Sequence, residues 1–416
     1  MGLRFAIILT LLGLAEFYSF ILVRSMARNM SPVWRTSVIV GYLVLTLLCW
    51  AGFIFFRQIQ SSGMPHLLRN LYTALALGML IGKVLILLVM LIDDLRRLIT
   101  SVVAAVAFHN SPTSDGVSQP IARSAFLKNV AIVLAGLSIF GFGYGVRNRY
   151  NYHVRKIKLK LAGLPEAFKG LKIVQISDIH TGSFDNHSAV AHGIDRILDQ
   201  KADIILFTGD LVNNVSTEVD EQYQQIFSRL KAPMGVYSTL GNHDYGDYVQ
   251  WPSEEAKVAN LNRLKGIHAK MGWKLMMNEH VVFERGADKL ALIGIENWGA
   301  KAHFPKYGDM KAAVNGLAEK NVPFKILMSH DPSHWDAQVR TEYPDIQLTL
   351  SGHTHGMQLG IDSKIFKWSP VQYIYKQWAG DYHEGNQCLY VNRGFGFLGY
   401  PGRLGILPEI TVIELV

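Results

Sequence analysis

Four long apolar runs crowd the first third of this chain, at Phe5 to Val23, Val38 to Phe56, Leu71 to Ile92 and Val130 to Val146. Each approaches the ~20 residues that a helix needs to cross ~30 Å of hydrocarbon. In lipid a backbone must satisfy its own polar groups, so these runs read as membrane-spanning helices. The first is too long, and too poorly followed by small residues, to be a cleaved secretory signal, and it reads as an anchor that stays. The division expected is a transmembrane region at residues 1–150 and a second domain at 151–416. A hydrophobic fraction of 49% against 18% charged residues agrees with it.

Glu16 and Lys83 fall inside spans one and three. A charge there is costly, so they are expected to pair inside the bundle, with a polar pathway as the alternative. The stretch His109 to Pro120 is polar and without apolar period, a loop between spans three and four. Beyond Val146 a basic connector, "RNRYNYHVRKIKLKL", leads into what reads as a first strand. With a net charge of +8 and pI of 9.2, anionic lipid headgroups are the simplest partner. No nucleic-acid partner is expected, because the basic residues form no stripe interleaved with aromatics. Cys49, within a span, and Cys388, in a strand-like run, support neither a disulfide framework nor a thiolate metal site.

From residue 171 one pattern recurs. "KIVQISDIH" ends in Asp178 and His180, "ADIILFTGDLVN" in Asp210, and "GVYSTLGNHD" in Asn242, His243 and Asp244. "FKILMSHDP" carries His330, and "IQLTLSGHTHG" carries His353 and His355. Each is a short buried-strand run followed by a small residue or tight turn and then a metal-capable side chain. Open sheets bind ligands outside the carboxyl ends of their strands, so five separated segments can aim at one crevice. Carboxylates, an amide oxygen and imidazoles suit Mn, Fe or Zn. Seven such groups exceed one ion and suit two, the arrangement that clamps both oxygens in phosphoryl transfer.

The ordered set Asp178-x-His180, Gly209-Asp210-x-x-Asn213, Gly241-Asn242-His243-Asp244, His330 and Gly352-His353-x-His355 resembles the calcineurin-like metallophosphoesterases, in their membrane-associated bacterial branch. The resemblance spans about residues 155 to 416, includes the closing segment "YVNRGFGFLGYPGRLGILPEITVIEL", and leaves the four-span region uncovered. It implies an α/β fold, a four-layer αββα sandwich. It implies two divalent metal ions, one on Asp178, His180 and His355, the other on Asn242, His330 and His353, with Asp210 bridging. It implies hydrolysis of a phosphomonoester or phosphodiester by a metal-bridging hydroxide, with His243 protonating the leaving oxygen. A non-catalytic transporter or metal-responsive module is the competing reading, discriminated by metal-dependent hydrolysis.

This chain departs from the family pattern twice. Relatives commonly carry an aspartate at the position of Asn213, where it orients and charges the catalytic imidazole; an asparagine can orient His243 but adds no charge. Met357 stands where relatives often have a second glycine. Arg393, in "VNRG", is weighed equally as a phosphate contact and as a structural ion pair. His187, His192, His268, His280, His303, His334 and His383 fit no strand-end motif and read as surface or satisfied core residues. The aromatic segment at 364–382 reads as a loop packed over the sheet edge or a lip at the membrane interface.

The branch points to a bacterial plasma-membrane enzyme whose substrate is a phosphate ester, with lipid-linked and cell-envelope compounds as candidates. Arg24, Arg28, Arg35, Arg96, Arg97, Arg123 and Lys128 lie after spans one and three, against Arg4, Arg57, Arg69 and the basic connector from Arg147 on the opposite face; with that connector counted as part of the folded domain, the positive-inside rule tilts the catalytic domain to the extracytoplasmic face. "ARSAFLKN" resembles a twin-arginine export signal whose second arginine is replaced by Ser124, and this tilts the same way. The oligomeric state and the substrate are not legible.

Overall fold

The computed structural model describes residues 2–55, 58–59, 64–108, 122–301, 304–363 and 365–416; the loop expected at 109–120, and Phe56, Arg57, His303 and Lys364, lie outside the described residues. The chain divides into two units, Met1–Val146 and Arg147–Val416.

Among the described residues the first unit holds four helices long and apolar enough to cross a membrane, α1 (Gly2–Ala27), α2 (Pro32–Ile54), α3 (His66–Phe108) and α4 (Ala125–Gly145). Pro32 opens α2, where a missing N–H costs nothing. The hydroxyl of Ser124 caps α4, accepting from the Leu127 N–H at 3.3 Å. Gly78 and Gly82 let α3 approach α4 so closely that a Cβ at 78 would lie 2.8 Å from Ile139 Cα. Small residues four apart are the usual route to tight contact in lipid.

Lys83 and Glu16 do pair, at 2.6 Å. Glu16 also accepts from Tyr42 at 3.1 Å and Trp50 at 2.9 Å, while Lys83 donates to Thr46 at 3.0 Å. The two charges are thus paired with each other, as expected. The third span does not stop at Ile92, because α3 continues through Asp93, Asp94, Arg96 and Arg97. Arg96 pairs with Asp93 at 2.9 Å and Arg123 with Asp94 at 3.1 Å. Of the basic residues expected in the two loops, only Arg28 and Arg123 lie between helices; the others extend the helix ends.

The second unit is built on two six-stranded sheets. In the first, β1 (His153–Leu159), β14 (Glu409–Leu415), β2 (Lys172–Ile176), β3 (Ile204–Phe207), β4 (Val236–Ser238) and β5 (Lys274–Leu275) lie in that order. In the second the order is β12 (Gly380–Glu384), β13 (Gln387–Val391), β9 (Leu348–Ser351), β8 (Phe324–Met328), β7 (Asp288–Gly294) and β6 (Glu279–Arg285). The basic connector forms β1, paired in parallel with β14. A small ribbon, β10 (Ile361–Asp362) with β11 (Lys367–Trp368), stands apart.

Strands β2, β3 and β4 run parallel, as do β7, β8 and β9. Strands buried on both faces read as unbroken apolar runs, and the packing shows why. Ile173, Leu206, Leu292, Ile326 and Leu350 meet between the sheets. Val174, Ile205 and Phe207 point the other way, onto α5 (His187–Leu198), α6 (Glu221–Phe227) and α7 (Glu254–Lys270). Ile293, Leu327 and Leu389 face outward from the second sheet, onto α8 (Met310–Ala313) and the helical turn around Trp335. Helix, sheet, sheet and helix therefore stack in four layers, the architecture expected for residues 151 onward.

Candidate metal centre

Five strands deliver the site from their carboxyl ends, three from the first sheet and two from the second. Beneath it the sheets are tied together by the buried Gln175 amide, which donates to the Ser351 carbonyl at 2.9 Å and to the Thr208 hydroxyl at 3.2 Å. Immediately past their strands Asp178, His180, Asp210, His353 and His355 all adopt left-handed backbone, with φ of 51°, 51°, 61°, 71° and 51°. That conformation costs a non-glycine residue roughly 1–2 kcal/mol, and such strain concentrates where function needs it. Main-chain bonds hold the turns in place: Asp178 donates to Gly209 at 2.9 Å, His180 to Asp210 at 3.1 Å and Gly352 to His330 at 2.9 Å. Met357 is left-handed as well, φ 52°, which accounts physically for the glycine common there in relatives.

The side chains gather in two groups. The ligand atoms of Asp178, His180 and His355 lie within 4.8 Å of one another, and so do those of Asp210, His330 and His353. Asn242 joins the second group, its Oδ1 2.8 Å from His353 Nδ1. Asp210 faces both, with Oδ2 3.1 Å from His330 Nε2 and 3.6 Å from His180 Nε2. Every residue expected to hold metal is therefore in one crevice.

Among the described residues, both ring nitrogens of His180 and Nε2 of His355 are buried without a hydrogen-bond partner. Buried polar atoms left alone cost about 1–3 kcal/mol each, and an orphan imidazole lone pair is what a divalent cation takes. Burial pushes His180 down to about 3, and His355 and His353 also below the ordinary range, so these rings are neutral. Burial raises Asp178. For Asp210 burial works the same way, yet His330 and His243 facing it hold it well below the carboxylate range. Burial opposes a charge on His330, but Asp210 beside it holds its proton affinity above the usual range. With no sulfur in reach, this donor set fits Mn, Fe or Zn.

His243 sits at the rim, its ring 5.0 Å from that of His180, and its main-chain N–H donates to Asp210 Oδ1 at 2.9 Å. Its Nδ1 donates to the main-chain carbonyl of Asn213 at 2.6 Å. The Asn213 side chain turns away, donating to the Ser183 hydroxyl at 3.0 Å. The expectation that the amide orients His243 is therefore corrected: the contact comes from the backbone, whatever side chain stands at 213. Asp244, the rival source of charge, is buried beneath, accepting from the N–H groups of Asp210, Leu211, Val212 and Gly241 at 2.8–3.2 Å.

Arg393 takes the ion-pair alternative. It is 3% exposed, with Nη1 2.6 Å from Glu409 and Nε 2.9 Å from Asp362. The other histidines that are described, all but His303, behave as expected: His268 and His334 are buried on Ser238 and Ser329, each at 2.9 Å, His187, His280 and His383 have polar partners, and His192 is exposed.

Three residues escaped the sequence reading. Tyr375 places its hydroxyl 2.9 Å from His353 Nε2 and donates to Asp331 at 3.3 Å. Tyr248 accepts from the Asn242 amide at 2.8 Å, which turns Asn242 Oδ1 toward the centre. Arg403, fully buried, donates to the carbonyls of His355 and Arg393 at 3.2 and 2.7 Å and lies 3.3 Å from His355 Nδ1. Arg403 and Tyr375 had a regional signal, the one lying in the glycine-rich closing segment and the other in the aromatic segment at 364–382, whereas Tyr248 had none.

Comparison with known proteins follows the same division. The family model of calcineurin-like phosphoesterases matches residues 171–357, and that of the transmembrane domain of probable calcineurin-like phosphoesterases matches residues 3–149. The chain is 31% identical over 310 residues to an uncharacterized metallophosphoesterase of Bacillus subtilis, YkuE, covering 71% of this chain and 98% of that one. It is 28% identical over 301 residues to the phosphodiesterase YaeI of Escherichia coli, covering 71% and 100%. It is 26% identical over 285 residues to the UDP-2,3-diacylglucosamine pyrophosphatase LpxG of Chlamydia trachomatis, covering 56% and 81%.

Proposed function

Because the chain belongs to the calcineurin-like phosphoesterases, in a form carrying a transmembrane domain, we propose that it hydrolyses phosphate esters at a two-metal centre. Asp178, His180 and His355 hold one ion, Asn242, His330 and His353 the other, and Asp210 is shared. The observation that carries this reading is the Asp210 carboxylate, one oxygen of which lies within 3.6 Å of a ring nitrogen from each group.

Divalent ions there supply an acidified water and a positive clamp for the phosphoryl oxygens. The chain's own residues set the geometry. The buried neutral imidazoles of His180, His353 and His355 offer lone pairs rather than protons, and Asp178 and Asp210 balance only part of the cationic charge, which favours an anionic ester. His243, held at Nδ1 by the Asn213 carbonyl, keeps Nε2 for the leaving oxygen, a contact that needs hydrogen-bond reach.

In this reading residues 1–150 anchor residues 151–416 to a plasma membrane. A membrane-held phosphate ester is the favoured substrate class, because tethering concentrates it and because LpxG is named for a diacylated sugar nucleotide. The transport alternative loses its motive once Glu16 and Lys83 are found satisfied by one another.

The test is metal content and hydrolysis of bis-p-nitrophenyl phosphate by purified full-length protein supplied with Mn or Zn. About two ions per chain are expected, with loss of turnover in Asp210→Ala. Unchanged turnover in that variant removes the site.

A further inference from the structure

The aromatic segment between β9 and β12 is only half used by the fold. Its inner side packs Val371, Tyr375, Trp378 and Ala379 against Ile406. It is also bonded to the loop that carries His353 and His355: Thr354 donates to the Trp378 carbonyl at 2.7 Å, Ser369 donates to the Gly356 carbonyl at 2.8 Å, and the Tyr375 hydroxyl stands 2.9 Å from His353 Nε2.

Its outer side is a ridge of apolar side chains in water. Ile361 is 50% exposed, Ile365 99%, Phe366 54%, Tyr373 77% and Ile374 51%. Scattered apolar residues on a surface need no explanation, but five exposed within fourteen positions of one segment are a concentration that calls for one. The underside is already pinned, so the ridge has no core of its own to fold back into.

Cations flank it. Lys301 donates to the Ile374 carbonyl with its ammonium 5.2 Å from the Tyr375 ring centre, and Lys376 is exposed beside it. Aliphatic and aromatic side chains edged by lysine match the headgroup zone of an anionic bilayer. A second copy of the chain would bring these lysines against their own kind. A bilayer, by contrast, is a permanent neighbour of a chain with four membrane-spanning helices.

We propose that this ridge sinks into the interfacial zone of an anionic bilayer and thereby sets the loop of His353 and His355 at the depth of lipid phosphates. The proposal rests on the phosphoesterase reading above and narrows its substrate to an ester whose phosphate stays at the membrane surface.

The test uses full-length protein in nanodiscs containing phosphatidylglycerol, with the buried Cys49 and Cys388 changed to Ala. A nitroxide on Ile365→Cys is compared with one on Glu284→Cys, an exposed position of β6, for collision with oxygen and with a water-soluble nickel chelate. The oxygen-to-nickel ratio is expected to be at least threefold higher at 365. In a second arm Ile365→Asp/Phe366→Asp should lower, by tenfold or more, the ratio of turnover on a p-nitrophenyl ester of phosphatidic acid to turnover on bis-p-nitrophenyl phosphate. Equal collision ratios at the two positions overturn the ridge while leaving catalysis standing. Failure of the unsubstituted protein on the soluble diester overturns the catalytic reading instead, and the collision data still judge the ridge. A label at 365 shielded from both reagents, with two chains per disc, assigns the ridge to a second copy and overturns the proposal.

Discussion

His243 Nδ1 donates to the main-chain carbonyl of Asn213 at 2.6 Å, and the Asn213 side chain plays no part in that bond. The imidazole is therefore positioned by a group that no substitution at 213 removes. Asn213→Ala is expected to keep kcat within about threefold on both alkyl and nitrophenyl esters. His243→Ala is expected to lose ~10² to 10⁴ on alkyl esters, the usual worth of general acid catalysis, and much less on nitrophenyl esters, whose leaving group needs no proton. Steady-state rates on the paired esters decide it. An alkyl-specific loss in Asn213→Ala would return the orienting role to the side chain.

The same contact shows where the sequence stops being informative. Metal-capable residues were legible because each follows a strand buried on both faces, and such strands leave unbroken apolar runs ending at one sheet edge. Side-chain direction was not. Asn213 and Arg393 each sit in a recognisable motif, yet one uses its backbone and the other is consumed by Glu409 and Asp362. Tyr375 reaches His353 across 22 residues and Arg403 reaches His355 across 48. No local period encodes such contacts. Span three was read short because Asp93 to Arg97 ends the apolar run, whereas the helix continues on charge pairs.

Gly352 lies where any Cβ would collide with the Ser177 hydroxyl and the Asp178 carboxylate. Gly352→Ala must displace Asp178, which accepts from the His353 N–H at 2.9 Å. A shift of ~1 Å at a catalytic group costs ~10² in rate, so turnover should fall by about that factor with metal present in excess. Retention of full turnover in a folded Gly352→Ala protein would show that the loop yields instead.

Burial pushes His268 down to about 3 and His334 down to about 4, neither of them part of the metal centre. A free imidazole titrates near 6.5. Below about pH 6.5 the unfolded chain therefore binds protons that the native chain refuses, and stability falls as pH drops toward 4. Each ring contributes up to about 1.4 kcal/mol per pH unit to that decline. His268→Gln and His334→Gln should each flatten the fall in Tm of chelator-treated protein between pH 7 and pH 5. Parallel curves for variant and wild type would mean that these rings titrate in the native state.

We propose that Arg24, Arg28, Arg35, Arg96, Arg97, Arg123 and Lys128 face the cytoplasm, although most extend helix ends rather than fill loops. The positive-inside rule counts Lys and Arg near span ends and gives little weight to paired acids. Alkaline phosphatase fused after Val416 is expected to be active in a bacterial host. An inactive phosphatase fusion with a fluorescent cytoplasmic counterpart would place the catalytic unit inside.

Glu16 and Lys83 lie on different helices within the apolar unit, 2.6 Å apart, with Tyr42 and Trp50 donating to Glu16 and Thr46 accepting from Lys83. Removing one member strands the other: Lys83→Met leaves a carboxylate with two neutral donors and no cation. Breaking a buried pair on one side costs about 3–5 kcal/mol, whereas replacing both members with apolar residues of similar size is often close to neutral. Lys83→Met should therefore lower the Tm of the detergent-solubilised protein clearly, and Glu16→Leu/Lys83→Met should recover most of the loss. Turnover of a soluble diester at the catalytic unit should stay within about twofold in both. A double variant no more stable than the single one would show that the pair is not self-contained. Unchanged Tm with lost transport of a solute, or with lost turnover, would instead give Glu16 and Lys83 a working role in the membrane.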